Sequence, residues 1–228
     1  MARVDAIRNA TSLDDLFARL EATGLLLRVD PTVQPTMYRC ATVSRAELEQ
    51  LQRITDVIRM GHVKRIDRDN IVLDGGDVPA DPSALYVDCT ADGLERRPTL
   101  PVFDGDRITL QCVRGCQPVF SAAVIGHVEA SKPDDRAKNE LCAPIPYPVV
   151  DLDWLRMLIV ENGNHIRWLD DPEMTNWLES SRLDMIGHLR PPIPPNPRVR
   201  ERAIRLVKST MQTTTEQLEK LLSSNGHL

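Results

Sequence analysis

Two short stretches of the chain combine residue types and spacing that could bind a ligand. Leu85, Tyr86 and Val87 form an apolar run, and a turn of small and polar residues follows it up to Gly93. We predict that residues 84–88 are a buried strand of an α/β sheet. Backbone amides after such a strand can approach a ligand at the carboxyl edge of the sheet. The candidate cofactor-binding residues of this turn are Thr90, Ala91, Asp92 and Gly93.

The second stretch is the start of a predicted helix. Pro118 suits the first helical position, and Gln117 precedes it. The free N–H groups and the dipole of a helix start favour a polar or anionic group. Gln117 and Pro118 are therefore the other candidate cofactor-binding residues. A tight turn after a strand and an ordinary helix start explain the same patterns, so both interpretations stay open.

Most other catalytic and binding motifs are absent from the sequence. The 228 residues contain no Gly-x-Gly, no P-loop and no HExxH or HxH pair. Ser121 does not lie in a G-x-S-x-G elbow, and His127 with Glu129 has only a weak metal-ligand spacing. We therefore expect no metal site and assign no catalytic residue. The five scattered cysteines are interpreted as small buried apolar residues in a reducing cytosol.

Composition and charge narrow the functional classes. A hydrophobic content of 42% over 228 residues is ample for a core, and a net charge of −5 gives no general reason to bind nucleic acid or anionic membrane. The arginines between 198 and 205 are interpreted as a solvated helix face rather than an RNA contact. Neither a secretory signal nor an apolar run of roughly 20 residues is present. We predict a cytoplasmic protein with no nucleic-acid or membrane partner.

Capping signals and hydrophobic periodicity predict helices on both sides of a strand-rich middle. Ser12 and Ser44 are predicted N-caps, and the helix after Ser44 is expected to continue through Ile58 and to end at Gly61. The tryptophans Trp154, Trp168 and Trp177 are expected packing anchors. The remaining predicted elements are a hairpin of residues 62–67 and 70–74, a strand at 107–113, helices at 118–128, 151–160, 173–183 and 199–222, and an extended proline-rich stretch at 191–197.

The order of these elements predicts the fold class. We expect an α/β protein with α+β character, in which a β-hairpin and a short sheet are flanked by helices and the C-terminal part is helical. The predicted parts are a helical segment at 1–60, a strand-rich part at 61–131, a helical region at 132–190, and a Pro-rich linker with a C-terminal helix at 191–228.

Four segments in a fixed order carry a resemblance to a known family. They are residues 16–24, 38–44, 87–94 and 117–123. Together they resemble the C-terminal half of actinobacterial FAD/NAD(P)-dependent oxidoreductases, which are relatives of the flavin monooxygenases and the pyridine nucleotide-disulfide reductases. The similarity extends from about Thr11 to about Leu189, and the order of the motifs is more specific than any one of them.

The resemblance implies FAD and NAD(P) as cofactors. It makes residues 1–60 the exit of an NAD(P) domain, with residues 63–73 as part of that exit, and residues 61–131 a remnant of the FAD domain. Under it, the strand and turn at 84–91 lie near the flavin, and the helix from Pro118 lies beside the flavin ring and ribityl chain. Where many members end this strand with Ala-Thr-Gly, the chain has Cys89, Thr90 and Ala91. Both Gly-rich loops of the family are missing.

The expected function is therefore the C-terminal part of a FAD/NAD(P)-dependent oxidoreductase, as a truncated product, a split gene or a separately encoded piece. Alone, such a chain is expected to be inactive and to hold the dinucleotides poorly, because it lacks both pyrophosphate sites. A partner chain would supply the missing Rossmann segments. The alternative is a non-catalytic interaction or oligomerisation module, which self-associates through apolar surface that the missing segments leave exposed.

Overall fold

The computed structural model of the chain describes residues 2–37, 43–90, 97–184 and 196–224, which are about half helical. The helices are α1 (Ala2–Asn9), α2 (Leu13–Ala22), α3 (Arg45–Leu51), α4 (Pro118–Ser131), α5 (Asp135–Leu141), α6 (Asp151–Asp170), α7 (Pro172–Ser180) and α8 (Pro197–Ser223). The strands are β1 (Val63–Ile66), β2 (Asn70–Leu73), β3 (Gly76–Pro79), β4 (Phe103–Asp104) and β5 (Arg107–Ile108). The predicted mixture of helices and small sheets is confirmed.

The chain divides into two compact units. Unit 1 comprises Met1–Val43 and Arg97–Leu228, and unit 2 comprises Ser44–Arg96. Unit 1 contains all the described helices except α3, together with the two-stranded β4–β5 ribbon. Unit 2 contains α3 and the sheet of β1, β2 and β3. No described helix is long and apolar enough to cross a membrane.

Amphipathic helices build the first core of unit 1. The Ser12 hydroxyl caps α2 by accepting the N–H of Asp15 at 3.1 Å, as predicted. The buried leucines Leu16 and Leu20 of this helix then face α1, α6 and α8, where they meet the predicted anchor Trp154. Helices of this length are stable chiefly through such packing of an apolar face.

The second core of unit 1 surrounds Trp168, near the end of α6. This side chain is 1% exposed and lies in a cluster with Phe120 of α4 and Met174 of α7. Its indole N–H donates to the carbonyl oxygen of Leu141 at 2.7 Å, so the polar end of the ring is satisfied. The half-buried Trp177 packs against the edge of the cluster. The second core therefore joins four helices and supports the start of α4.

The sheet of unit 2 confirms the predicted hairpin and adds a third strand. β1 pairs with β2 and β2 pairs with β3, both antiparallel. The Asp74 carboxylate accepts the N–H of His62 at 2.8 Å and pairs with Lys64 at 3.1 Å, which fixes the start of β1. Of the described residues in this unit, only Leu73 is buried. The sheet therefore has almost no core of its own.

The predicted strand at 84–88 is wrong. These residues form no strand, and all of them are exposed. Leu85 is 89% exposed and Val87 is 71% exposed. A strand is stable only beside a partner strand, and no described strand pairs with this segment. The sequence contains residues that favour strands, but it carries no information on whether a partner strand lies beside them.

The helix after Ser44 is shorter than predicted. The capping box is confirmed: Ser44 accepts the N–H of Glu47 at 3.2 Å, and the Glu47 carboxylate accepts the N–H of Ser44 at 2.7 Å. However, α3 ends at Leu51, so its expected continuation to Ile58 is wrong. No residue of α3 is buried, and further turns would gain no packing energy.

Two other predicted elements are also shorter or different. Of the predicted strand at 107–113, only Arg107–Ile108 is a strand, paired with β4 across a turn in which Gly105 has a φ of 64°. Pro197 is the first residue of α8 and not part of an extended stretch. The prolines of 191–195 lie outside the described residues.

Candidate polar site before helix α4

A buried hydroxyl holds the turn that precedes α4 in unit 1. Ser121 Oγ accepts the N–H groups of Val113 and Arg114, each at 3.1 Å. The same hydroxyl lies 2.7 Å from the carbonyl oxygen of Gln117, to which it donates. Its environment is closed, because Ser121 is fully buried. Ser121 therefore fixes residues 113–117 against the first turn of α4.

Replacing Ser121 by alanine should lower the stability of the chain, because the hydroxyl holds the turn before α4. Two buried N–H groups would lose their acceptor, at about 1–2 kcal/mol each, and we expect the free energy of unfolding to fall by about 2–4 kcal/mol in total. Chemical denaturation followed by circular dichroism measures it. Ser131→Ala is the matched control in the same helix, since the buried Ser131 Oγ has no partner among the described residues. Equal losses in the two variants would contradict the assigned role.

The backbone of this turn is strained and closely packed. Cys116 has a φ of 54°, in the left-handed region, which costs a residue with a Cβ roughly 1–2 kcal/mol. A Cβ added to Gly115 would lie 2.9 Å from Glu161 Oε2. Strain of this kind persists only where the surrounding structure imposes it, and it is enriched at binding sites.

Arg114 is the most deeply buried charge of the described residues. Its side chain is 1% exposed, with Nε 3.4 Å from Glu161 Oε1 and Nη2 3.9 Å from Asp184 Oδ1. Nη1 lies 3.4 Å from Nδ1 of His165. Nε and Nη2 form no hydrogen bond to a described residue, so the ion pairs are loose. Two carboxylates around one guanidinium leave the cluster with no surplus positive charge.

Gln117 is buried without hydrogen bonds from its side chain. The residue is 6% exposed, and neither Oε1 nor Nε2 has a partner among the described residues. It stands at the N-cap of α4, yet its side chain makes no capping bond. A buried amide without partners costs about 1–3 kcal/mol, so such groups are rare in stable cores. An unsatisfied donor and acceptor at a helix start together favour a polar ligand.

Helix α6 positions the other side of the polar site. Glu161, Asn164 and His165 follow one another at helical spacing and lie on one face of α6. The buried Asn164 amide donates to the carbonyl oxygens of Val113 at 2.9 Å and Ala143 at 2.7 Å. This side chain therefore ties α6 to the segment that leads into the turn.

The structure assigns the predicted site residues to different parts of the chain. Gln117 and the exposed Pro118 belong to the polar site of unit 1. Thr90 belongs to unit 2, where its N–H and hydroxyl donate to Asp88 Oδ1 at 2.9 and 2.6 Å. The predicted residues Ala91, Asp92 and Gly93 lie outside the described residues.

Sequence reasoning missed most of the polar side chains that surround the turn. The predicted helix ended at residue 160, just before the polar face of α6. A usable signal was present, since Glu161, Asn164 and His165 have i, i+3, i+4 spacing beside Trp168. Arg114 also stands out, because it is a charged residue that follows an apolar stretch and precedes Gly115.

The weak metal-ligand pair of the sequence is His127 and Glu129. In the structure, each of these side chains contacts a different residue. The His127 ring stacks on Trp177 with centroids 4.5 Å apart, and burial lowers the pKa of this histidine. Glu129 pairs with Lys138 at 2.7 Å. Within the described ranges, no three His, Cys, Asp or Glu side chains are grouped to hold a metal ion.

The cysteines occupy several environments rather than the uniformly buried one that was predicted. Cys142 is buried, and burial raises the pKa of its thiol to about 12. Cys112 is half-buried, and burial raises the pKa of its thiol as well. Cys89 is exposed, and Cys116 is in a disulfide bond, so both differ from the prediction. Cys40 lies outside the described residues.

Comparison with known proteins gives relatives but no family. The chain is 59% identical over 223 residues to three proteins, each called uncharacterized: Rv2000 and MT2056 of two Mycobacterium tuberculosis strains and Mb2023 of Mycobacterium bovis. The match covers 98% of this chain but only 42% of each relative, so the chain spans about two fifths of their length. No family model and no solved structure matches the chain.

Proposed function

We propose that this chain forms the C-terminal part of a FAD/NAD(P)-dependent oxidoreductase and that the turn before α4 lies against the flavin ring. The observation that carries the proposal is the buried Gln117 amide, whose donor and acceptor lack partners among the described residues. Its position agrees with the resemblance seen in the sequence, under which the helix from Pro118 lies beside the ring.

The chemistry of this site fits the pyrimidine edge of a flavin. That edge has an N–H group between two carbonyl oxygens, so it donates and accepts hydrogen bonds. A primary amide such as that of Gln117 can accept a hydrogen bond from the N–H group and donate one to a carbonyl oxygen. The N–H groups in the first turn of α4 are further donors for a carbonyl oxygen.

The charges around the turn favour the ring over the diphosphate of the cofactor. Glu161 and Asp184 together outnumber the one guanidinium of Arg114, and a phosphate there would face net negative charge. The sequence also contains no Gly-x-Gly for a phosphate-binding loop. A bound flavin would supply hydride and electron transfer, and this chain would hold and orient the ring.

The lengths of the relatives are compatible with this division of roles. More than half of each relative lies outside the matched region. A two-domain flavoprotein needs additional chain for its dinucleotide-binding segments, and the relatives have enough chain for them.

The full-length Mycobacterium tuberculosis relative is the protein on which to test the proposal. We expect it to retain about one FAD per chain through dialysis and to oxidise NAD(P)H in a flavin-dependent reaction. Leucine at the position aligned with Gln117 should weaken FAD binding about tenfold, the equivalent of one lost hydrogen bond. A colourless relative that binds no added FAD would overturn the proposal.

Gln117→Leu in the 228-residue chain is the matched stability control. Because it replaces an unpaired buried amide by an apolar group of similar size, we expect the free energy of unfolding to rise by about 1–2 kcal/mol. A gain in stability here with a loss of FAD in the relative would mark Gln117 as a binding residue. A stability loss here would instead give the amide a structural role and contradict the proposal.

The exposed apolar side chains of unit 2 favour a second candidate, a non-catalytic interaction module. Leu85, Val87 and Ile54 are each more than half exposed. Exposed apolar surface marks an association site where the side chains are contiguous. A flavin-free relative, together with a 228-residue chain that self-associates in analytical ultracentrifugation, would favour this candidate over the oxidoreductase.

A further inference from the structure

Arg167, near the end of α6, is a partly buried cation that forms no ion pair with a described residue. Its Nε is buried without a partner among the described residues, and burial lowers the pKa of its guanidinium. The Glu140 carboxylate acts on it only from beyond ion-pair distance and is itself paired with Arg136 at 3.6 Å. Charges that are partly removed from water are normally paired, so this guanidinium favours an anionic ligand.

Asn164 holds the guanidinium of Arg167 in a fixed position. The buried Asn164 amide donates to the carbonyl oxygens of Val113 at 2.9 Å and Ala143 at 2.7 Å, and these two bonds orient the side chain. Its Oδ1 then accepts the N–H of Arg167 Nη2 at 2.6 Å. An anion would therefore meet a donor that is already in place, and the remaining N–H groups can pair with a carboxylate.

A small groove between α6 and α8 borders this guanidinium. Ile159, Gly163 and Ile166 of α6 form its floor, and its volume is about 190 Å³. A Cβ added to Gly163 would lie 3.4 Å from Arg167 Nη1, so the guanidinium meets the groove at this glycine. Glycine in the middle of a helix is destabilising relative to alanine. Here the missing side chain leaves the floor of the groove open.

The opposite wall of the groove belongs to α8 and carries an acidic residue, the exposed Glu216. Asn162 donates to Thr215 at 3.1 Å, so Glu216 lies at about the level of Asn162 along α6. Arg167 is five residues further on, which is roughly 7 Å along the helix axis. The carboxylate of Glu216 is therefore separated from the guanidinium. A ligand with one negative charge suits this groove better than a dianion.

We propose that Arg167 and this groove bind a small monocarboxylate, whose carboxylate group pairs with the guanidinium and whose short alkyl chain lies on Gly163. The apolar floor favours a ligand with a chain over a bare anion, because the chain leaves water on binding. The proposal does not rest on the flavin, since Arg167 and the groove lie outside the turn before α4.

Nuclear magnetic resonance titration of the isotope-labelled 228-residue chain with butyrate tests the site. We expect saturable shifts at the amides of Gly163 and Arg167, with a dissociation constant of about 1 mM. Acetate should bind about tenfold more weakly, because it lacks two methylene groups that leave water. n-Butylamine has the same chain and the opposite charge, and should not bind. The absence of saturable shifts with butyrate would overturn the proposal. Equal binding of acetate or butylamine, or tighter binding of inorganic phosphate, would also overturn it.

Removal of the Arg167 charge tests the ion pair. Arg167→Met should weaken butyrate binding at least about tenfold, since the carboxylate would lose its charged donor. Arg107→Met is the matched control, because Arg107 is exposed and pairs with Asp104 at 2.8 Å. It should leave the affinity for butyrate unchanged. An affinity that survives in Arg167→Met, or that falls equally in both variants, would contradict the proposal.

Gly163→Ala tests the groove without touching the charge. Its Cβ meets Arg167 at an ordinary contact distance, and alanine favours a helix, so the thermal midpoint should not fall. Butyrate should bind about threefold more weakly, because the added methyl group occupies the floor where the alkyl chain lies. Acetate should bind as before, since it interacts chiefly with the guanidinium. An unchanged affinity for butyrate in this variant would overturn the proposal, even if Arg167→Met fails to fold.

Discussion

Alanine in place of Trp168 is expected to lower the free energy of unfolding by about 3–5 kcal/mol. The indole fills the second core of unit 1 at 1% exposure and touches elements from α4 to α7. The substitution would leave a large cavity and would also orphan the carbonyl oxygen of Leu141, which accepts the indole N–H at 2.7 Å. Urea denaturation monitored by circular dichroism measures the loss.

Two variants separate the contributions of the indole. Trp168→Phe keeps most of the apolar volume but loses the N–H donor, so we expect a loss of about 1–2 kcal/mol. Trp177→Ala serves as the control, because Trp177 packs at the edge of the same cluster and is half-buried. A Trp168→Ala loss no larger than that of Trp177→Ala would show that the second core is not centred on this residue.

The sequence predicted the features that depend on near neighbours. The cap of α2 is a bond between Ser12 and Asp15, and the capping box of α3 joins Ser44 and Glu47. Each involves residues only three positions apart, so the spacing alone contains the geometry. The turn between β1 and β2 is local in the same way, and the hairpin was predicted correctly.

Features that depend on distant partners were predicted less well. Strand pairing is non-local, and the apolar run at 84–88 carries no information on whether a neighbouring strand exists. The length of α3 similarly depends on whether another element covers its apolar face, and no residue of α3 is buried. Both errors occur in unit 2, whose described residues include a single buried side chain, Leu73.

The candidate site shows the same division. Gln117 and Pro118 were predicted because a proline at a helix start is a local signal. The contact between Arg114 and His165 joins residues 51 positions apart, and no spacing rule relates them. The burial of the turn before α4 and its contacts with the polar face of α6 could therefore be learned only from the structure.

The largest effect at the candidate site is expected from removal of the Arg114 charge. Arg114→Met keeps much of the side-chain volume but leaves Glu161, 3.4 Å away, without this counter-charge in a mostly buried position. Breaking one side of such a pair costs about 3–5 kcal/mol, chiefly because the remaining charge stays desolvated. We expect a loss in this range in chemical denaturation of the 228-residue chain.

A double-mutant cycle isolates this contribution. Glu161→Gln removes the carboxylate charge, so the double variant Arg114→Met with Glu161→Gln should recover about 1–2 kcal/mol relative to Arg114→Met alone. Arg114→Lys is the matched control. It keeps the charge but loses the planar fork, so its free energy of unfolding should lie between those of the unsubstituted chain and Arg114→Met. If the losses from the two single substitutions simply add in the double variant, the ion pair does not stabilise the turn. The turn would then depend on the hydrogen bonds of Ser121 and Asn164, and Arg114→Met would leave the position of Gln117 unchanged.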